Sequence, residues 1–213
     1  MNNLPDKLTE TIKDANFQDV IMDLGETAID TIFDDGVLKE IPILGSVLGL
    51  ARATMTIQDK LFTKKLLTFL LQLQNTDTKS RKEQINKIDN DPNYKTKVGE
   101  KILHIIDKCE DSEKAAYIGK LFQCYIEEKL HYEDFLRASK CIELTFLYDL
   151  KRFIKEKWNN MEMEEAGDLV GSGLMTAIYT PGEQTWGNVG SGTLKVKASG
   201  IGKLIQDLLD DTK

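Results

Sequence analysis

The stretch from residue 35 to residue 55, DGVLKEIPILGSVLGLARATM, carries an apolar run from Ile41 to Ala51 that stops at Arg52. Its reading separates two kinds of protein. In one, the run enters a membrane; in the other, it is a helix buried in a bundle. A spanning helix needs about 20 consecutive apolar residues. This run is shorter, and Lys39 and Glu40 precede it while Gln58, Asp59 and Lys60 follow. Pro42 stands where a helix tolerates proline, in the first turn. Gly45 and Gly49 form a GxxxG pair, a spacing that lets a second backbone approach closely. The stretch therefore predicts a core helix from Pro42 to about Gln58, with Gly45 and Gly49 as candidate contact residues. The alternative is a helical hairpin over 37–73 that leaves the bundle on a trigger and inserts into a membrane.

On the N-terminal side, Leu8, Ile12, Phe17, Val20, Ile21, Leu24, Ala28 and Ile32 recur at helical spacing, which predicts one amphipathic helix over 6–33. Asp34-Asp35-Gly36 marks the turn after it. On the C-terminal side, KLFTKKLLTFLLQLQ predicts a helix over 60–74. Its Lys60, Lys64 and Lys65 read as a solvated flank, or as a contact for anionic lipid. Further helices are expected at 81–88, 98–109 and 113–130, the last capped from Glu110-Asp111-Ser112. Another is expected from His131 to Trp158, with a break. Residues 1–145 thus predict a helical bundle with short connections.

After Asn160 the composition changes. Residues 167–202 hold nine of the 15 glycines. GLMTAIYT (173–180) and GTLKVKAS (192–199) predict two strands joined by a glycine-rich loop too long for a tight hairpin. Ser199 is placed to cap a last helix. The fold class expected is mainly α: a bundle, then a small α+β segment over 146–213.

That tail resembles a winged helix, on LVGSGLM (169–175) and LKVKASGIGKLIQDLL (194–209). The resemblance implies a short second helix over 162–172, a two-stranded wing and a role in binding DNA. DNA binding requires cations on that helix and on the wing. The helix instead carries Glu162, Glu164, Glu165 and Asp168, and the wing loop carries Glu183 and Trp186. The reading preferred is a protein-interaction module with Glu162, Glu165 and Trp186 as candidate contacts. Trp186 at a loop tip suits a partner contact, or folds back on the bundle.

Other chemistry finds little footing. Asp89, Asp91, Asn93 and Glu100 fall at positions 1, 3, 5 and 12 of a calcium loop, but Tyr94 occupies the position that needs glycine. There is no GxSxG, HExxH or GxxxxGK motif. Cys109, Cys124 and Cys141 lack CxxC spacing and local ties to His104 or His131, so they read as small core thiols in a reducing compartment. No enzyme, cofactor or metal site is expected. The formal net charge of −7 disfavours nucleic acid. MNNLPDKLTE at the start lacks the features of a secretory leader, and the location expected is cytoplasmic.

Residues 38–70 and 113–150 together resemble small uncharacterised helical proteins of bacteria and their mobile elements, some of them found beside antiphage systems. The resemblance points to a bacterial or phage origin and to a setting in phage defence or other regulation, and it implies no mechanism; the function expected is non-enzymatic, exerted by contact with a protein partner. The resemblance implies no catalytic residues.

Overall fold

The computed structural model describes residues 4–25, 41–50, 56–181, 184–185, 188–189 and 192–210. Among them the chain is mainly helical, with eleven helices and a small three-stranded antiparallel sheet near the C-terminal end. It divides into two compact units, Met1–His131 and Tyr132–Lys213.

The first unit contains α1 (Leu4–Lys13), α2 (Phe17–Gly25), α3 (Pro42–Leu50), α4 (Ile57–Leu71), α5 (Thr78–Asp89), α6 (Val98–Lys108) and α7 (Ser112–Ile126). Its centre is the α4–α7 pair. Gly119 of α7 passes against the Phe69 carbonyl and the Gln72 side chain, where a β-carbon would crowd both. Phe69, Phe122 and Tyr125 form a chain of tilted rings with centroids 5.7 Å apart at each step. All three are buried, and rings at that spacing add attraction beyond their buried area.

The amphipathic segment expected as one helix over 6–33 is two helices up to Gly25, and residues 26–33 lie outside the described residues. The break has a local cause. The Asp14 carboxylate accepts a hydrogen bond from the Asn16 amide at 2.8 Å, a side-chain turn that competes with the helical ladder. Buried Arg81 then holds the corner. Its Nε donates to the Ile12 carbonyl at 2.7 Å and its Nη2 to the Asp14 carbonyl at 3.0 Å. Its Nη1 donates to the Thr76 carbonyl, and the guanidinium lies 4.8 Å from the Phe17 ring centroid. A fully buried guanidinium is tolerated only when its donors are satisfied.

The segment around residue 45 is helical from Pro42 to Leu50. Ile43 and Leu44 are fully buried, and the Ile43 amide donates to Thr11 Oγ1 at 3.2 Å. No helix among the described residues is long and apolar enough to cross a membrane. The expected run to Gln58 does not occur, because Thr56 starts the next helix. Thr56 Oγ1 accepts from the Asp59 amide at 3.1 Å, and Asp59 Oδ2 accepts from the Thr56 amide at 2.9 Å. This reciprocal cap moves the expected start at Lys60 back to Ile57. Lys65, read as a solvated or lipid-facing flank, instead donates to the carbonyls of Asp107 and Cys109 at 3.0 and 2.9 Å. It closes the C-terminal end of α6, where a cation is favoured.

The second unit contains α8 (Tyr132–Leu144), α9 (Leu147–Lys155), β1 (Asn160–Met161), α10 (Met163–Gly171), β2 (Met175–Thr180), β3 (Gln184–Thr185), β4 (Asn188–Val189), β5 (Thr193–Ala198) and α11 (Gly200–Leu208). The boundary expected after residue 145 falls at the far end of α8, which α11 contacts. The break expected between His131 and Trp158 lies at Thr145, whose hydroxyl donates to the Cys141 carbonyl at 2.7 Å. The two expected strands are β2 and β5, paired antiparallel from Met175↔Ala198 to Thr180↔Thr193. A third strand not expected, β1, adds to the other side of β5 through Asn160↔Lys197 and Met161↔Val196. Ser199 caps α11 by accepting from the Gly202 amide at 2.9 Å, and it donates to the Gly173 carbonyl at 2.7 Å. Gly173 stands at φ 87°, a conformation glycine adopts without strain. Leu150, Phe153, Ala166, Leu174, Val196 and Ile205 are fully buried and form the core.

Candidate protein-interaction site

Helix α9 buries Leu150, Phe153 and Ile154. The same periodicity turns Tyr148 and Arg152 outward. At its C-terminal end Glu156 closes the last turn by donating its amide to the Arg152 carbonyl. Lys157 follows at φ 52°, in the sparsely populated left-handed region. That residue reverses the chain and brings Trp158 back over α9. Gln206 fixes the reversal, because its side-chain amide donates to the carbonyls of Phe153 and Trp158 at 2.9 Å each. Lys157 Nζ reaches the Gln206 carbonyl at 2.6 Å and Asp210 at 2.9 Å.

The result is a fixed cluster at the start of the sheet. Arg152 meets Glu156 through two hydrogen bonds of 2.9 and 3.2 Å. Its guanidinium lies 4.7 Å from the Trp158 ring and 5.8 Å from the Tyr148 ring. The Trp158 indole N–H donates to Glu156 at 2.6 Å. Hydrogen bonds from Arg152 first, then from Trp158, hold the Glu156 carboxyl below its ordinary range. The same pairing with Glu156 raises Arg152.

A groove runs beside this cluster, lined by Asp149, Arg152, Trp158, Asn160, Met161, Glu164, Glu165, Asp168 and Leu169. A second hollow shares Asn160, Met161 and Glu165 with it and adds Glu162 and Lys195. Five carboxylates, at 149, 162, 164, 165 and 168, border the two hollows. None of them forms a salt bridge among the described residues, while Arg152 is already engaged by Glu156. Glu164 and Glu165 sit in the first turn of α10, where the helix dipole favours negative charge.

Glu162 and Glu165 therefore stand together, as the sequence suggested, and with them Glu164 and Asp168. Trp186 and Glu183 lie outside the described residues. Gly45 and Gly49 belong to α3 in the first unit and form no part of this groove; Gly45 is half-buried. Sequence reading missed Asp149, Arg152, Trp158 and Lys195. Arg152 and Trp158 are six apart, a spacing with no helical meaning. Only the left-handed turn at Lys157 brings them together, and no residue type at that position announces it.

The remaining candidates take structural places. Asp89 accepts from the Val98 amide at 2.9 Å, and Asp91 accepts from the Asn93 amide at 2.8 Å. They cap α6 and a turn rather than converging on one point. Among the described residues no group of three His, Cys, Asp or Glu side chains is placed to hold a metal. Cys109 and Cys141 are buried, and burial pushes the Cys124 and Cys141 thiols up, away from the thiolate form. No protein-family model, curated protein or solved structure matches the chain.

Proposed function

We propose that this chain is a non-enzymatic, protein-binding regulatory protein whose second unit is a winged-helix-like module. In that module the groove along α10 receives a basic segment of a protein partner. Support for the module comes from element order and sheet order. A strand precedes α10, a hairpin follows it, and the strands lie in the order β1-β5-β2. Support for the partner's chemistry comes from the one observation that carries the reading. The helix that would face a DNA groove presents Glu164, Glu165 and Asp168 to solvent and no cation. Each carboxylate there repels phosphate and attracts lysine or arginine, and the wall of Trp158 and Met161 offers apolar contact to long basic side chains. A bacterial or mobile-element setting, phage defence included, is proposed from the resemblance of residues 38–70 and 113–150.

The test is titration of the whole chain with an arginine- and lysine-rich peptide and, separately, with duplex DNA at low salt. The reading expects peptide binding that weakens with salt and no DNA shift. Neutralising Glu164→Gln, Glu165→Gln and Asp168→Asn together should weaken the peptide by about tenfold, or roughly 1.4 kcal/mol. Neutralising Asp6→Asn, Glu10→Gln and Glu100→Gln in the first unit should leave it nearly unchanged. Equal losses in the two triple variants would reduce the effect to overall charge and remove the groove from the proposal. A DNA shift would replace the reading with a DNA-binding one.

A further inference from the structure

The sheet order β1-β5-β2 leaves two outer edges, and the edge of β1 borders the acidic groove. The hydrogen-bond phase shows which backbone groups β1 turns outward. The Ala198 amide donates to the Asn159 carbonyl at 3.0 Å, so these two residues form a hydrogen-bonded pair. Antiparallel pairs alternate. Asn160↔Lys197 is therefore a non-hydrogen-bonded pair, and Met161↔Val196 a hydrogen-bonded one. The N–H and C=O of Asn160 point away from β5. One step past the ladder the phase repeats, so the Glu162 N–H points the same way. The Glu162 carbonyl instead turns into α10 and accepts from the Glu165 and Ala166 amides at 3.1 Å each. The far side of β5 agrees in phase. There the Ser199 amide donates to the Leu174 carbonyl at 2.9 Å, which puts the pairing groups of Lys197 on the β2 side. Asn160 and Glu162 are both exposed, and among the described residues no strand pairs with this edge of β1.

The two faces of the sheet carry different charge past that edge. Val196 and Ala198 are buried on the face that α10 contacts, and Met161 shares that face by its register with Val196. The groove along α10 opens beyond Met161 there, with Asp149, Glu164, Glu165 and Asp168 on its walls. Lys195 and Lys197 are exposed on the opposite face, and Asn160 shares it by its register with Lys197. On that side Glu162 and Lys195 border the second hollow together, and their charges offset each other.

We propose, resting on the groove function above, that the partner's basic segment docks as an added strand on the outer edge of β1, with a cation at every second residue. Outward-pointing backbone groups at alternate residues select an extended chain. Charge selects a basic one. Carboxylates at 149, 162, 164, 165 and 168 border this edge. They guard it against copies of this chain, whose net charge is −7, and they attract lysine and arginine. The partner residue set opposite Asn160 exchanges two hydrogen bonds with its backbone. That residue's side chain lies on the face of Lys195 and Lys197, where a cation gains nothing. The residues before and after it point to the other face, into the acidic groove. The segment recognised therefore alternates basic and neutral residues, a spacing that a helical or irregular ligand would not require.

Titration of the whole chain with end-capped peptides of equal composition tests the added strand. One peptide alternates, Arg-Thr-Arg-Thr-Arg-Thr-Arg, and the other gathers its arginines into one block. The alternating peptide should bind about tenfold more tightly. N-methylation of its threonine amides removes the N–H groups that face β1 and should weaken it by about tenfold. N-methylation of its inner arginine amides, whose N–H groups face away, should change little. Asn160→Pro removes an outward N–H without touching the ladder to β5. It should cost a similar factor, with circular dichroism confirming that the variant is folded. Equal affinity for the two peptides, or equal losses from the two methylations, overturns the added strand. So does a folded Asn160→Pro chain that binds as the wild type does. In each of these cases the groove function stands if Glu164→Gln, Glu165→Gln and Asp168→Asn together still weaken both peptides. Failure of both peptides to bind at low salt overturns the groove function, and the added strand with it.

Discussion

The α-carbon of Gly202 passes so close to the Leu174 carbonyl that a β-carbon on it would overlap the oxygen. The same carbonyl accepts the Ser199 amide, so it has no freedom to retreat. Gly202→Ala is therefore expected to destabilise the second unit by about 1–3 kcal/mol, the cost of forcing packed backbone apart. Both tryptophans of the chain, Trp158 and Trp186, lie in that unit. Denaturant unfolding followed by tryptophan fluorescence reads the loss directly, and an unshifted midpoint would refute the close approach.

Gly119 provides the matching test in the first unit. A β-carbon there would stand 2.8 Å from both the Phe69 carbonyl and the Gln72 side chain. The Gln72 side chain can swing away, while the carbonyl belongs to α4 and cannot. Gly119→Ala is expected to cost about 1–2 kcal/mol despite alanine's better helix propensity. Far-ultraviolet circular dichroism through a denaturant series measures it.

Arg81 is fully buried and donates to three backbone carbonyls on two segments, those of Ile12 and Asp14 and that of Thr76. Arg81→Met keeps much of the volume but strands the carbonyls of Ile12, Asp14 and Thr76. A loss of about 2–4 kcal/mol is expected. Arg81→Lys is expected to be little better, since an ammonium group cannot reproduce the spread of the guanidinium donors. Hydrogen exchange should show α1 and the 14–16 turn opening first. Uniform exchange throughout the unit would count against the clamp.

Acid should loosen the structure at three identifiable carboxylates. Hydrogen bonds from Thr56 lower Asp59, hydrogen bonds from Ser80 lower Asp77, and hydrogen bonds from Arg152 and then Trp158 lower Glu156. A carboxylate depressed in the folded state favours folding above its unfolded value. That contribution fades as pH falls through the lower, folded value. Stability should therefore be level above the ordinary carboxylate range of about 4 and decline below it. Glu156→Gln should remove the low-pH step in the fluorescence of Trp158. Asp59→Asn should flatten the acid limb of the stability curve. An acid limb unchanged by Asp59→Asn and Asp77→Asn together would place the titrating groups elsewhere.

The elements that could be read from the sequence are those whose signal is periodic or local. Helix α6 and strands β2 and β5 stood where apolar spacing put them, because burial of one face repeats along the element itself, whereas α10 stood where the winged-helix resemblance placed a short helix. The Ser199 cap was legible for the same reason: donor and acceptor lie three residues apart. What escaped depends on distant partners. Nothing near Asp14 says that Arg81 will accept a broken helix there. Two residues, Asn160 and Met161, are too few to show alternation, so β1 exists only because β5 offers its other edge. The acidic face of α10 was visible as composition. Its aromatic wall was not, since Trp158 reaches Arg152 through a left-handed residue rather than through a helical repeat.

The guanidinium clamp also sets a schedule for synthesis. The Ile12 carbonyl waits for a side chain 69 positions later in the chain. At translation rates of about 5–20 residues per second, the first helix spends roughly 3–14 s outside the ribosome with its C-terminal end unsecured. Throughout that interval the apolar residues Leu8 and Ile12 have no finished core to enter. A nascent chain of this kind offers chaperones and proteases a recognition window at α1, and that window narrows when Arg81 emerges and closes only once α6, against which α1 packs, has followed.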